Sequence, residues 1–259
     1  MDEISSYNQE RWRDLAEVNA LFTRPALDLD LESARNKVDP ENRFGDLGGK
    51  RVLCLASGGG QQSVAFALLG ADVTVVDLSA EQLERDRQAA AHYGLTLQIV
   101  QADMRDLSAL PASSFDLVWQ PYSINFVPEV RTVFAQVARC LRPGATYYFA
   151  CANPLTLGVG AQDWDGQGYP LRFPYIAGAK LFSKDADWVH DTDRHIDPPQ
   201  EFRHTLGDLF NGLVEHHFVL THFSDTKDYY PDPAAEPGTW DHFTAVAPPW
   251  FCFWTQYQP

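Results

Sequence analysis

Three consecutive glycines, Gly58 to Gly60, constrain the fold of this chain more than any other feature of its 259 residues. They follow the apolar residues 52–55, which have the composition of a buried parallel strand. A turn with three glycines permits backbone conformations and close approaches that a Cβ atom would prevent. An apolar helix at 63–69 and a second strand at 72–77, ending in Asp77, come next. The sequence therefore predicts a strand–loop–helix–strand unit with a carboxylate placed to bind the ribose of a nucleotide-type ligand.

The spacing of the glycines separates two ligand classes that fit such a unit. A nicotinamide dinucleotide loop has glycines at three spaced positions, and the third lets the helix pack closely on the strand. Here the pattern is Gly58-x-Gly60-x-x-Ser63, so the third position is small but is not glycine. The stretch more closely resembles the cofactor loop of class I S-adenosylmethionine-dependent methyltransferases. A nicotinamide-dependent oxidoreductase is the first alternative.

The resemblance implies roles for the loop residues. Gly58 and Gly60 take the glycine positions that face the cofactor, and Asp77 takes the carboxylate that binds both ribose hydroxyls. Neighbouring residues are expected to line the same cofactor site: Ala56, Ser57, Gln61 and Leu78. Two positions depart from the family pattern, because Cys54 stands in place of the usual acidic residue and Ala56 in place of the first glycine.

Two later segments extend the resemblance. A third strand at 95–100 leads to Asp103 and Met104, which match the residues that contact adenine in the family. In that contact the carboxylate accepts a hydrogen bond from the exocyclic amine, and the next backbone amide meets the ring. A fourth strand at 113–119 contains the sequence Phe-Asp-Leu-Val, which is typical of this strand in the family. The resemblance implies that the exit of this strand, from Gln120 onward, lies beside the reactive methyl group.

Capping signals predict where the later helices begin and end. Ser79 and Gln82 form a capping box, and the helix that follows is expected to end near Gly94. Pro128 suits the first position of the next helix. An apolar stripe that begins at Phe202 predicts a further helix and places His204 in its first turn.

The chemistry implied by the resemblance requires proximity, alignment and exclusion of water more than a catalytic side chain. Tyr122 and Asn125 follow the fourth strand and are expected beside the acceptor. His204 is the candidate general base because an imidazole titrates near neutral pH. The alternative for His204 is an ordinary surface histidine.

The pattern of elements predicts one α/β domain. We expect a Rossmann-like, doubly wound, mostly parallel seven-stranded sheet with an antiparallel edge strand, an N-terminal helical lid and a lid insert after the fifth strand. The expected parts are the N-terminal helical lid and connection at 1–50, the cofactor-binding core at 51–150, the acceptor lid at 151–200, and the last helix and strands at 201–259.

Two segments are expected to cover the site. A helix at 5–24 commonly folds over the cofactor in the resembled family, which makes Tyr7 and Trp12 site neighbours, and 28–50 is expected to be an irregular connection. The aromatic-rich insert at 151–199 offers acceptor contacts: Asn153, Trp164, Phe173, Tyr175 and Trp188. It also contains histidines and aspartates of the types that bind metals: His190, Asp191, Asp193, His195 and Asp197. Their spacing matches no recognised site, and no metal is expected.

Composition limits the partners. A formal charge of −15 and a pI near 4.8 argue against nucleic acids, whose binding needs clustered Lys and Arg. The acidic N-terminus and the lack of a long apolar run indicate a cytoplasmic protein with no membrane partner. Four cysteines without close spacing indicate reduced thiols. We expect a small-molecule acceptor and a monomer or homodimer; a catalytically silent cofactor-binding protein is the second alternative.

Overall fold

Seven strands form one mixed sheet in the computed structural model, which describes residues 2–181, 196–226 and 230–259. In chain order they are β1 (Arg51–Leu55), β2 (Asp72–Asp77), β3 (Gln98–Gln101), β4 (Phe115–Gln120), β5 (Leu141–Ala152), β6 (Phe218–Ser224) and β7 (Trp250–Tyr257). The spatial order is β3-β2-β1-β4-β5-β7-β6. The first five strands are parallel, whereas β7 runs antiparallel to both β5 and β6. The predicted Rossmann-like sheet with its antiparallel addition at one edge is confirmed.

Helices cover both faces of this sheet. Those within the described residues are α1 (Glu3–Glu17), α2 (Leu31–Val38), α3 (Gln62–Leu68), α4 (Ala80–Tyr93), α5 (Val130–Cys140), α6 (Leu206–Glu215) and α7 (Trp240–Val246). Side chains alternate along β1, so that Leu53 and Leu55 join the core cluster under α5 and α6, while Val52 and Cys54 join the cluster under α2 and α3. Burial on both faces explains why β1 is apolar throughout rather than alternating with polar residues.

The N-terminal region differs from the prediction. The first helix ends at Glu17 rather than at residue 24, because Asn19 has a positive φ of 55° and a short 3₁₀ turn, Leu21–Thr23, follows. The region 28–50 contains α2, which was predicted as irregular connection. The Asp30 carboxylate accepts the Ser33 N–H at 2.8 Å, which is a helix cap that the sequence does contain.

Two later helix starts are also corrected. Pro128 lies two residues before Val130, the first residue of α5, and Glu129 occupies the N-cap position. Helix α6 begins at Leu206 after the N-cap Thr205, so Phe202 and His204 lie in the extended segment that precedes it. The apolar stripe therefore continued further toward the N-terminus than the helix does.

The structure also bears on the predictions for the cysteines, for membrane-spanning helices and for the internal boundaries. All four cysteines are free and buried. Among the described helices, none combines the length and the apolar character needed to cross a membrane. Strands from residues 51 to 257 share one sheet, while the internal boundaries at 50, 150 and 200 stay predictions.

Candidate active site

A cavity of about 1160 Å³ opens at the carboxyl ends of the parallel strands. Residues from the β1, β2, β3 and β4 exits line it, and α1 covers part of it with Tyr7 and Trp12. Most of the predicted cofactor residues line this cavity: Trp12, Ala56, Ser57, Gly58, Gln61, Asp77, Leu78, Asp103 and Met104. The structure thus gathers residues that lie far apart in the sequence into one concave site, as expected for the crevice of an open α/β sheet.

Asp77 is bound to the glycine loop at the end of β2. Its Oδ2 accepts the Gly58 N–H at 2.8 Å and its Oδ1 accepts the Ser79 N–H at 2.9 Å. Burial raises the pKa of this carboxyl, and the backbone donors act in the opposite direction. A Cβ atom on Gly58 would lie 2.8 Å from Gln82 Cβ and 3.0 Å from Asp77 Cγ, so only glycine fits this approach.

Gly60 has a different role from the one the resemblance implied. It lies against α4, where a Cβ atom would be 2.5 Å from the Arg85 carbonyl oxygen and 2.9 Å from Ala89 Cβ. Its φ of +68° also favours glycine. Gly60 therefore permits the loop to pack on α4 and does not line the cavity.

Part of the cavity lining is largely aromatic, and we call this part the acceptor half. Its walls come from the ends of β4, β5 and β7, from α7 and from the segment around Leu157: Trp119, Tyr148, Leu157, Trp240, Phe243 and Trp250. Trp119 stacks on Tyr148 with ring centroids 5.4 Å apart. Such walls suit a flat or apolar molecule.

Comparison with known proteins identifies the family. Residues 53–149 match the family model described as a methyltransferase domain. An uncharacterized methyltransferase, YbaJ, of Bacillus subtilis is 30% identical over 240 residues, which cover 88% of this chain and 92% of the relative. The chain belongs to the class I S-adenosylmethionine-dependent methyltransferases.

Two further similarities agree with this assignment to the class I methyltransferases. A ubiquinone biosynthesis O-methyltransferase of Cronobacter sakazakii is 33% identical over 181 residues, or 66% of this chain and 70% of the relative. The crystal structure of an S-adenosylmethionine-dependent methyltransferase from Mesorhizobium loti superimposes with a TM-score of 0.63 at 23% identity, covering 89% and 100% of the two chains. The latter similarity supports the fold.

The cavity of this methyltransferase fits S-adenosylmethionine, the family's cofactor. Asp77 presents a buried carboxylate at the end of β2, and the backbone at Gly58 approaches it where a Cβ atom would not fit. Among the described residues, the Gln82 Oε1 atom in the cavity wall is buried without a hydrogen-bond partner. The predicted capping box is therefore only half formed: Ser79 Oγ accepts the Gln82 N–H, but the Ser79 N–H donates to Asp77. The Gln82 side chain lines the cavity instead.

Asp103 is bound by Ser5 of α1 and by Arg105. Its Oδ2 accepts from Ser5 Oγ at 2.6 Å and from Arg105 Nη2 at 2.7 Å, and Arg105 Nη1 also binds Asp2 at 2.7 Å. Burial acts to raise the pKa of Asp103, but these hydrogen bonds outweigh it and the pKa is lowered. The carboxylate expected at the adenine therefore also fastens α1 to the β3 exit.

Besides Gly60, three predicted cofactor or catalytic residues do not line the cavity: Gln120, Asn125 and His204. Gln120 Oε1 accepts from Tyr147 Oη at 2.6 Å. Asn125 Oδ1 accepts the Ala152 N–H at 2.9 Å. His204 is buried, and its Nε2 lies 2.9 Å from the Ile124 carbonyl oxygen. Burial lowers the pKa of His204, so the imidazole tends to remain neutral and committed to the backbone. These side chains form hydrogen bonds outside the cavity lining. Of the predicted catalytic residues, only Tyr122 lines the cavity.

The insert contributes different residues from those predicted. Thr156 to Gly160 line the cavity, whereas Trp164 packs against Tyr169 and His242 instead. The other described candidates also lie outside the cavity lining: Asn153, Phe173 and Tyr175. Trp188 and four of the metal-type residues lie outside the described residues: His190, Asp191, Asp193 and His195. Asp197 lies 3.7 Å from Arg11 in an ion pair, and no group of metal ligands occurs within the described ranges.

Sequence reasoning missed two carboxylates. Glu201 lines the cavity, where its Oε2 accepts from Tyr122 Oη at 3.0 Å. Asp86 is fully buried behind the glycine loop; its Oδ2 accepts the Gly59 N–H at 3.0 Å and its Oδ1 accepts from Ser63 Oγ. One signal for Asp86 was available, because it falls on the buried stripe of α4.

Asp86 places a buried carboxyl near Cys54, the position at which the family usually has an acidic residue. The charge of Asp86 contributes to raising the pKa of the buried Cys54 thiol, after burial itself. Burial raises the pKa of Asp86 to about 7. A carboxyl from α4 thus lies behind the loop, next to the residue where the family places its acidic side chain.

Replacement Asp86→Asn is expected to stabilise the protein, and more so at higher pH. The folded-state pKa of about 7 exceeds the ordinary value of 3.8, so the free energy of unfolding falls as pH rises between those values and is level above. Asparagine keeps the acceptor for Gly59 and gives Ser63 a donor, without the charge. Its advantage should grow by roughly 2–3 kcal/mol between about pH 5 and about pH 8. Chemical denaturation at both values, with the exposed Asp72→Asn as control, measures this. An equal effect at both pH values would show that the folded state does not raise the pKa of Asp86.

Proposed function

We propose that this methyltransferase transfers the methyl group of S-adenosylmethionine to a small, largely apolar molecule bound in the acceptor half. One observation carries the proposal: a continuous cavity leads from Asp77 and Gly58 to the aromatic walls around Trp240 and Trp250. Its size and lining suit a small ligand with few polar groups. The formal charge of −15 also disfavours a nucleic acid acceptor.

The proposed cofactor contacts follow the cavity lining. Asp77 would accept from both ribose hydroxyls, and Asp103 with Met104 would lie at the adenine. The remaining contacts are assigned to the predicted residues that the cavity exposes: Trp12, Ala56, Ser57, Gly58, Gln61 and Leu78. Gly60 would act indirectly, by letting the loop pack on α4.

Bound S-adenosylmethionine supplies an electrophilic methyl carbon on a sulfonium sulfur. The protein's part is to hold the acceptor in line and to exclude water. Helix α1 is held over the cavity by polar side chains: Asn8 Nδ2 donates to the Phe126 and Gln200 carbonyls at 3.1 Å each, and Gln9 Nε2 donates to the Leu78 carbonyl at 2.9 Å. These bonds connect α1 to three residues that line the cavity.

The remaining assignments are also proposals. We propose that the chain acts as one domain, as a monomer or homodimer, in the cytoplasm and without a nucleic acid or membrane partner. Support for a reducing compartment comes from Cys54, Cys140, Cys151 and Cys252, which are all free.

A thermal melt tests cofactor use first. S-adenosylhomocysteine at a hundredfold its dissociation constant should add about 2.7 kcal/mol, which is roughly 5–10 °C for a domain of this size. A nicotinamide dinucleotide should add nothing. Labelled methyl from the cofactor should then enter the low-molecular-mass fraction of a bacterial extract and not its proteins or nucleic acids. Label confined to macromolecules would refute the small acceptor, and a melt unchanged by S-adenosylhomocysteine would favour a silent domain.

A further inference from the structure

Glu201 places a carboxylate in the cavity wall, in contact with Tyr122, which follows β4. The Tyr122 hydroxyl donates to its Oε2 at 3.0 Å, and Oε1 accepts no hydrogen bond from any described residue. The other carboxylates in the cavity are already engaged, since Asp77 binds two backbone amides and Asp103 binds Arg105. Because the residues that follow β4 are expected beside the acceptor, Glu201 offers a proton acceptor there through its contact with Tyr122.

Hydrogen bonds hold the backbone at Glu201 and Phe202 in place. Its carbonyl accepts the Leu181 N–H at 2.9 Å, and the next residue, Phe202, donates its N–H to the Asn125 carbonyl at 2.7 Å. Asn125 Nδ2 also donates to the Phe202 carbonyl at 3.1 Å. Because Asn125 follows β4 closely, these bonds hold the carboxylate relative to the strand exit. Asn125, predicted as catalytic, is better described as a positioning residue for Glu201.

The surroundings suit proton transfer near neutral pH. Burial raises the pKa of Glu201 to about 7, and the hydrogen bond from Tyr122 acts against that rise. Burial together with the Glu201 charge raises the pKa of Tyr122, so its hydroxyl remains a donor. Among the described residues, further titratable groups in this region include Cys151, whose charge acts on Tyr122, and Lys180 and Tyr7, which line the same cavity. A base with this pKa matches the operating pH of general base catalysis.

We propose that Glu201, oriented by Tyr122, is the general base that takes the proton from a hydroxyl group of the acceptor, and that the acceptors are small phenol-like molecules. The acceptor oxygen forms a bond to the methyl carbon as the sulfur–methyl bond breaks, leaving its electron pair on sulfur. The hydroxyl proton moves to Glu201 Oε1 and later to solvent. Aromatic walls at Trp240, Phe243 and Trp250 suit the ring. This inference rests on the proposed function.

A matched panel of acceptors tests the substrate class. Ring compounds that differ only in carrying a hydroxyl, an amine or a thiol are incubated with the protein and labelled S-adenosylmethionine. We expect label only in the hydroxyl compounds. Glu201→Gln should lower kcat about 100-fold or more, as loss of a general base does, while the exposed Glu84→Gln control stays within threefold of the wild type. Transfer to amines, or an unchanged kcat in Glu201→Gln, would overturn the proposal.

The variant Tyr122→Phe tests whether the Tyr122 hydrogen bond tunes the pKa of Glu201. Without the hydrogen bond that lowers it, the pKa of Glu201 should rise, and the acid limb of the kcat profile should move to higher pH. The wild-type limb should lie near pH 7, and Glu201→Gln should lose it. A limb that stays in place in Tyr122→Phe, or that persists in Glu201→Gln, would exclude the pair as the proton acceptor.

A binding measurement covers the case in which no panel compound is methylated. With S-adenosylhomocysteine present, 4-nitrophenol should bind the wild type at least tenfold more tightly than Glu201→Gln. Equal binding would overturn the proposal. S-adenosylhomocysteine alone should stabilise both proteins equally; if it stabilises neither, the proposed function fails and not only the role of Glu201.

Discussion

Replacement Asp77→Asn is expected to abolish the stabilisation of this protein by S-adenosylhomocysteine. The side chain keeps its size, but the amide turns an acceptor oxygen into a donor that faces the Gly58 N–H or the Ser79 N–H. The proposed ribose contacts to a charged carboxylate are worth about 1.5–3 kcal/mol each. Losing two of them weakens binding by roughly 100-fold or more. At a ligand concentration that gives the wild type about 2.7 kcal/mol, the variant would then gain about 0.4 kcal/mol or less.

The control for this experiment lies on the same strand. Asp72 is at the opposite end of β2 with its side chain 54% exposed, so Asp72→Asn makes the same chemical change far from the cavity. Each protein is melted with and without the ligand, so a change in intrinsic stability cancels. A full ligand shift in Asp77→Asn would show that the cofactor binds elsewhere. Loss of the shift in both variants would point to the total charge rather than to this carboxylate.

The order of elements was predictable because its signals are local. Strand β2 occupies the predicted residues 72–77, and β1 gains one residue at Arg51. Apolar runs, glycines and the strand sequences themselves identify these elements from a few neighbouring residues. Helix α2 was missed because eight residues with only Ala34 and Val38 buried make a weak periodic pattern.

The positions of Asp77 and Gly58 in the fold were predictable for the same reason, whereas the contact between Glu201 and Tyr122 was not. Asp77 and Gly58 lie next to strand ends, so their place in the fold follows from the strands themselves. Glu201 meets Tyr122 across 79 residues of sequence, and no local pattern marks that contact. His204 was selected for the ordinary pKa of an imidazole, but tertiary burial sets its actual environment.

Replacement Gly60→Ala should destabilise the protein much more than Gly94→Ala. Both glycines have nearly the same backbone conformation, with φ of +68° and +66°. At Gly94, the end of α4, a Cβ atom meets nothing within 4 Å, so alanine bears only the conformational cost of about 1–2 kcal/mol. At Gly60 the same atom would also overlap the Arg85 carbonyl and Ala89 Cβ. Overpacking of this kind adds about 1–3 kcal/mol.

The two variants therefore isolate the packing of the loop on α4 from glycine's conformational freedom. Chemical denaturation measures the difference, and Gly60→Ala should lose about 1–3 kcal/mol more than Gly94→Ala. Any shift of α4 that relieves the overlap would also move Gln82 and Asp86, whose oxygens accept the Gly59 N–H at 3.1 and 3.0 Å. Gly60→Ala should thus weaken S-adenosylhomocysteine binding as well, while Gly94→Ala leaves it unchanged. If the two variants are equally destabilised and bind the ligand equally well, the loop and α4 do not constrain each other. Glycine would then be needed at position 60 only for its positive φ.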